Sequence, residues 1–184
     1  MTENQLTYGN KAKNLEFVAR NTDIEIPYFK KIYPEDLEGI EKILVNFSEK
    51  IMIRSNSSDE DEENFSSAGK YLSIGPIERN DLETIKKSWE MVVGSYEEQD
   101  NQSVIFQNYI ENAKSVSVLT SYKVGSDSAY RTFSTYYGSE TDAITSGKYS
   151  EINNFFMHRS FDILPKKYKK YNVYLKIITQ LEDL

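Results

Sequence analysis

The sequence predicts an α+β fold, with a helix-rich N-terminal half followed by an antiparallel, strand-rich second half. Before residue 100 apolar residues recur at helical spacing in three stretches; beyond Val104 they fall in short β-branched and aromatic runs separated by turns containing Gly, Ser and Asp. Between the two patterns Gln99–Ser103 is wholly polar, which sets expected lobes of 1–100 and 101–184.

Gly9-Asn10 makes a turn, and Ala12, Leu15, Phe17 and Val18 follow at near-helical spacing, which predicts a short amphipathic helix. Asp23–Phe29 alternates apolar and polar residues around Pro27 and reads as a short edge strand. Pro34-Glu35-Asp36 then opens a helix whose apolar stripe is Leu37, Ile40, Ile43, Leu44 and Phe47. That stripe is core. Ile51–Ile53 reads as a buried strand, and the alternating Tyr71–Ile74 follows the loop behind it. Asn80 or Asp81 caps a helix over Leu82–Tyr96, with Leu82, Ile85, Trp89, Val92 and Val93 on one side and the lone tryptophan packed.

The second half reads as a meander of strands at Val104–Gln107, Val116–Tyr122, Tyr130–Tyr137 and Ala143–Thr145, with another at Ile152–Met157. A final helix over Tyr168–Leu184 turns Tyr171, Tyr174, Leu175, Ile178 and Leu181 inward. Lys166, Lys167, Lys169 and Lys170 cluster at its start, against the preference of the helix dipole, and read as a solvated face.

The whole chain limits what these elements can do. Its 184 residues suffice for one domain or two small lobes, and 39% hydrophobic with 28% charged residues suits a soluble globular protein. No apolar run approaches the ~20 residues of a membrane span, and the first residues lack an apolar signal core. Without cysteine there are no disulfides or thiolate metal sites, and a reducing cytoplasm is the simplest compartment. A net charge of −7 argues against a nucleic-acid partner, while leaving room for a small anion such as ATP held by a few placed cations.

The stretch that reads most like a site runs from Lys50 to Ile74. The strand Ile51–Ile53 delivers Arg54 to its end, where a guanidinium fork suits an anion. Five consecutive acids, Asp59–Glu63, follow and read as solvated or cation-facing charge. Ser66, Ser67, Ala68 and Gly69 then offer small residues whose backbone amides can approach a phosphate closely. An ordinary hairpin with a charged tip has the same spacing.

This stretch resembles the nucleotide-binding domain of the phosphoenolpyruvate synthase and pyruvate phosphate dikinase family, whose pattern is V-R-S-S-x-x-x-E-D, a spacer, then S-x-A-G-x-[YF]-x-S. Here it stands as Ile53-Arg54-Ser55-Asn56, Glu60-Asp61, and Ser66-Ser67-Ala68-Gly69-Lys70-Tyr71-Leu72-Ser73. Asn56 replaces the second serine and keeps a hydrogen-bonding side chain. The family's early G-G-K-x-x-N-L is similar to Gly9-Asn10-Lys11-Ala12-Lys13-Asn14-Leu15, which implies that Lys11 contacts ATP phosphates. Further on, Val104–Ile110, Ser115–Thr120 and Thr141–Gly147 resemble three later family segments, although Val116 stands in place of a glycine.

The resemblance implies an ATP-grasp-like fold with ATP between the lobes, Lys11 and Arg54 as catalytic cations, and Ser66–Gly69 around the phosphates. Gln107, Tyr109 and Ile110 would line the adenine side, and Asp142 would lie near the ribose or metal. The later segment looks closer to the branch containing the glutamine kinases of surface-polysaccharide pathways. Family enzymes continue into acidic magnesium ligands, a Q-x-R-P segment and a domain whose histidine carries the phosphoryl group; none follows Leu184. The expectation is therefore an ATP-binding portion, incomplete at its C-terminus and inactive alone. It would work with ATP, Mg2+ and missing phosphohistidine and acceptor domains, with no nucleic acid and no membrane. His158, the only histidine, lies outside the family's histidine motif and reads as a structural or surface residue. A noncatalytic protein that kept the fold and binds a partner through its acidic, tyrosine-rich surface is the alternative.

Overall fold

The computed structural model describes residues 11–56, 72–96, 103–121, 129–140, 143–144 and 151–184. The chain forms two compact units that divide between Ile110 and Glu111. Both combine helices with an antiparallel sheet, so the fold is α+β. Among the described residues no helix is long and apolar enough to cross a membrane.

In the first unit α1 (Lys11–Asn21) is followed by β1 (Phe29–Ile32), α2 (Ile40–Leu44), β2 (Lys50–Ser55), β3 (Ser73–Glu78), α3 (Leu82–Val93) and β4 (Val104–Asn108). The strands lie in the order β1-β4-β2-β3, each pair antiparallel. β4 is central: Val104, Ile105 and Phe106 are fully buried, with Phe106 opposite Ile53 on one side and Lys30 on the other. The division at Ile110 therefore replaces the expected boundary at residue 100, because β4 has its hydrogen-bond partners in the first sheet. One face of that sheet, with Ile51, Ile53, Ile77, Val104 and Phe106, packs with Ile40, Leu44 and Phe47 and with Ile85, Trp89 and Val92 of α3.

Two expected elements changed. The edge strand is four residues long and begins at Phe29, where the expected strand ends, and Ile24–Tyr28 has no regular structure. The helix expected from Pro34 is broken into a 3-10 turn, Pro34–Leu37, and the short α2, because Gly39 takes φ 87° between them. Glycine enters that left-handed region at little cost, and the chain then redirects Ile40 and Leu44 into the core. α3 is capped by Asp81, whose carboxylate accepts from the Thr84 N–H at 3.0 Å. That bond and a second one, from the Thr84 hydroxyl to the same carboxylate at 2.7 Å, hold the Asp81 carboxyl below its usual value. Gly75 lies against β2: a Cβ there would come within 3.1 Å of the Ile51 carbonyl oxygen, at the irregularity in the β2–β3 register.

The second unit contains β5 (Val116–Thr120), β6 (Tyr130–Tyr136), β7 (Asn153–His158) and α4 (Asn172–Glu182), with the strands antiparallel in the order β5-β6-β7. Its core joins Phe133 and Met157 of the sheet to Leu164, Tyr171, Leu175 and Ile178. Phe155 stacks on Tyr171 with ring centres 4.6 Å apart. Ala143–Ile144, expected in a strand, is a turn, with the Ala143 N–H bonded to the Glu140 carbonyl. The final helix begins as a 3-10 turn, Lys166–Tyr171, and becomes α-helical only at Asn172. Lys166, Lys167, Lys169 and Lys170 are exposed, as a solvated face requires, and two of them lie over aromatic rings: the Lys167 ammonium is 4.7 Å from the Tyr168 ring centre and that of Lys170 is 5.0 Å from that of Tyr171.

Candidate functional site

The candidate site grows from the alternation of β2. Ile51 and Ile53 point into the core of the first unit, so Met52 and Arg54 project from the opposite face. β4 repeats the division, with Val104 and Phe106 in the core and Ile105 and Gln107 on the other face. Register places Arg54 opposite Ile105 and Met52 opposite Gln107, which makes Arg54 and Gln107 diagonal neighbours. The Arg54 Nη1 donates to the Gln107 Oε1 at 3.1 Å. That bond fixes the orientation of a planar fork that a lysine could not supply.

The start of α1 meets the end of β2. The Lys11 Nζ donates to the Ser55 Oγ at 3.0 Å, and the Ala12 N–H donates to the Asn56 Oδ1 at 3.0 Å. Lys11, Ser55 and Asn56 thus meet at the end of β2 that also carries the Arg54–Gln107 pair, with Ser55, opposite Val104, on the core face of the sheet and Arg54 on the other. Two cations, one bonded to a hydroxyl and one to an amide at successive positions of β2, give this strand end positive charge and directed N–H donors, which attract an oxyanion.

Tyr109 and Ile110 do not join this cluster. The Tyr109 N–H bonds the Lys50 carbonyl at 3.0 Å, which places it at the other end of β2 from Arg54. Four residues separate those ends, about 13 Å along a strand. Alternation nevertheless puts Tyr109 on the same face as Gln107, whereas Ile110 is exposed. Ser66, Ser67, Ala68, Gly69 and Asp142 lie outside the described residues. Among the described residues no group of three or more His, Cys, Asp or Glu side chains converges to hold a metal ion.

His158 ends β7 in the second unit. Its Nδ1 lies 2.8 Å from the Ser160 Oγ and accepts the Ser160 backbone N–H at 3.2 Å, so the neutral ring carries its proton on Nε2.

Sequence reasoning missed two groups. The phenol of Tyr96 donates to the Ser103 carbonyl at 2.8 Å and accepts the Asn56 N–H at 2.9 Å; hydrophobic periodicity cannot distinguish this tyrosine from a packing residue. In the second unit Arg131 is paired with Glu182, 51 residues apart, and no local spacing connects them.

No family model matches the chain, and neither a curated protein nor a solved structure does.

Proposed function

We propose that this chain is the ATP-binding portion of a dikinase-type phosphotransferase, with an ATP-grasp-like fold of the phosphoenolpyruvate synthase and pyruvate phosphate dikinase kind. One observation carries the reading. Lys11, the Arg54-Ser55-Asn56 run and Gln107, which resemble three separate family motifs, are joined by side-chain hydrogen bonds in one unit.

In this reading Lys11 and Arg54 neutralise phosphate oxygens, and Gln107 keeps the Arg54 fork turned along the sheet face. The polar end of that face lies about 13 Å from Tyr109, a span suited to a ligand with phosphates at one end and a ring at the other. The amides of Ser66–Gly69 would add donors to the phosphates, and Asp142 would serve the ribose. The phosphoryl group would pass to a histidine on a separate domain and from there to a small-molecule acceptor. Magnesium would accompany the nucleotide, but the described residues offer no ligand set for it.

The test is a titration of the full chain with ATP, AMP and adenosine. If Lys11 and Arg54 supply phosphate affinity, ATP binds at least about tenfold more tightly than AMP, since charge-assisted hydrogen bonds contribute roughly 1.5–3 kcal/mol each. AMP then exceeds adenosine. Equal affinity for all three, or no binding, removes the proposal.

A further inference from the structure

Three stretches of the first unit meet at one buried amide. Asn56 is 1% exposed, and both ends of its side chain are used: its Oδ1 accepts the Ala12 N–H at 3.0 Å, and its Nδ2 donates to the Ser103 Oγ at 3.0 Å. Its backbone N–H donates to the Tyr96 phenol oxygen at 2.9 Å, and that phenol donates to the Ser103 carbonyl at 2.8 Å. α1, the end of β2, Tyr96 beyond α3 and the residue before β4 are therefore tied to each other through a single residue, Asn56, by its side chain and its backbone N–H.

We infer that Asn56 is a positioning residue that sets the place of Lys11. The first N–H groups of a helix have no partner within it and are ordinarily satisfied by a side chain just ahead of the helix. Here the acceptor for Ala12, the second residue of α1, comes from 44 residues away. The start of α1 is consequently registered to the end of β2. Lys11, next to Ala12, has a long flexible stem, and its ammonium reaches the Ser55 hydroxyl only from an anchored backbone. The same bond places Lys11 beside the residue that follows Arg54. Burial makes the arrangement specific, because an amide removed from water is stable only with its polar atoms paired. Tyr96 and Ser103 complete that pairing and keep the Asn56 carbonyl aimed at α1.

The inference rests on the phosphate-binding reading for its functional meaning but not for its geometry, and two measurements separate them. The first is the acetylation rate of each lysine in the full chain, read by mass spectrometry with acetic anhydride as probe. Lys11 should react several-fold more slowly than the exposed Lys13 in the parent chain. Asn56→Ala should raise the Lys11 rate at least threefold with other lysines unchanged. Asn56→Asp, which keeps an acceptor for Ala12, should leave Lys11 slow; it also serves if the alanine variant does not fold. An unchanged Lys11 rate in Asn56→Ala, or a fast one in folded Asn56→Asp, overturns the positioning role.

The second is ATP affinity in a double-mutant cycle of Asn56→Ala and Lys11→Ala. Asn56→Ala should weaken ATP about tenfold in the parent chain and less than twofold where Lys11 is already alanine. Equal losses in both backgrounds mean that Asn56 only supports the fold, and overturn the inference. If Lys11→Ala leaves ATP affinity unchanged, the phosphate reading fails, while the acetylation rates still decide whether Asn56 places Lys11.

Discussion

Glu182→Ala should destabilise the second unit by about 3–5 kcal/mol, the cost of leaving a buried charge without its partner. Glu182 stands in the last turn of α4, where the helix dipole disfavours a carboxylate, so its place is explained by what it meets. The Arg131 Nη2 lies 2.5 Å from the Glu182 Oε2 and its Nε 3.0 Å from the same oxygen, with the arginine side chain 6% exposed. Arg159 approaches at 3.5 Å, and the Ser121 hydroxyl donates to the same carboxylate. Removing Glu182 strands Arg131 in the interior with the Phe161 carbonyl as its remaining described hydrogen-bond acceptor. Replacing both partners by methionine should cost less than Glu182→Ala alone, since no charge is then left unpaired.

The same group gives the second unit its acid sensitivity. Burial pushes the Glu182 carboxyl up, but the hydrogen bonds from Arg131 and Ser121 and the charges of Arg131 and Arg159 outweigh it and hold the group below its usual value. The unfolded chain therefore binds the proton more readily than the folded one, and stability rises with pH across that window. The contribution is complete above the ordinary glutamate range and is lost as pH falls through the lowered value. Amide exchange in Tyr130–Tyr136 should accelerate there, and Glu182→Ala should flatten that dependence. A profile unchanged by the substitution would argue that other carboxylates control it.

Phe106→Ala should cost the first unit about 3–5 kcal/mol, against a typical total of about 5–15 kcal/mol. Phe106 is fully buried on the central strand, opposite Ile53, with its ring centre 6.5 Å from that of Phe47. A strand hydrogen-bonded on both sides cannot shift to close the resulting cavity without breaking its ladders to β1 and β2. Trp89, the only tryptophan, belongs to the same core, so its fluorescence reports this unit directly. A midpoint shift in urea equivalent to less than about 1 kcal/mol would mean that the core collapses around the site.

Both units show where sequence reasoning succeeds. α1, α3 and β2 follow from hydrophobic period, because Ile85, Trp89 and Val92 repeat with the helix and Ile51 and Ile53 with the strand, whereas β6 was legible from its aromatic and β-branched run but not its buried face, which carries Arg131, Phe133 and Thr135. β4 was legible as a strand but not as a member of the first unit. Its partners Ile32 and Ile53 are remote in sequence, and nothing local identifies them. Gly39 was silent until its φ was known, since a glycine within an apolar helical pattern is also compatible with an unbroken helix. At the candidate site Lys11, Arg54 and Gln107 were singled out by motif, whereas the ties from Asn56 to Ala12, Ser103 and Tyr96 depend on three-dimensional closure.

Whether Arg54 and Lys11 hold the phosphates of a nucleotide is decided by an equilibrium titration of ATP against the full chain and Arg54→Ala. Binding should be saturable and weaken about 10- to 100-fold in the variant, the loss of one or two charge-assisted hydrogen bonds, while Trp89 fluorescence shows the first unit still folded. Equal affinity in the two chains, or no saturable binding to the parent chain, would contradict that binding mode.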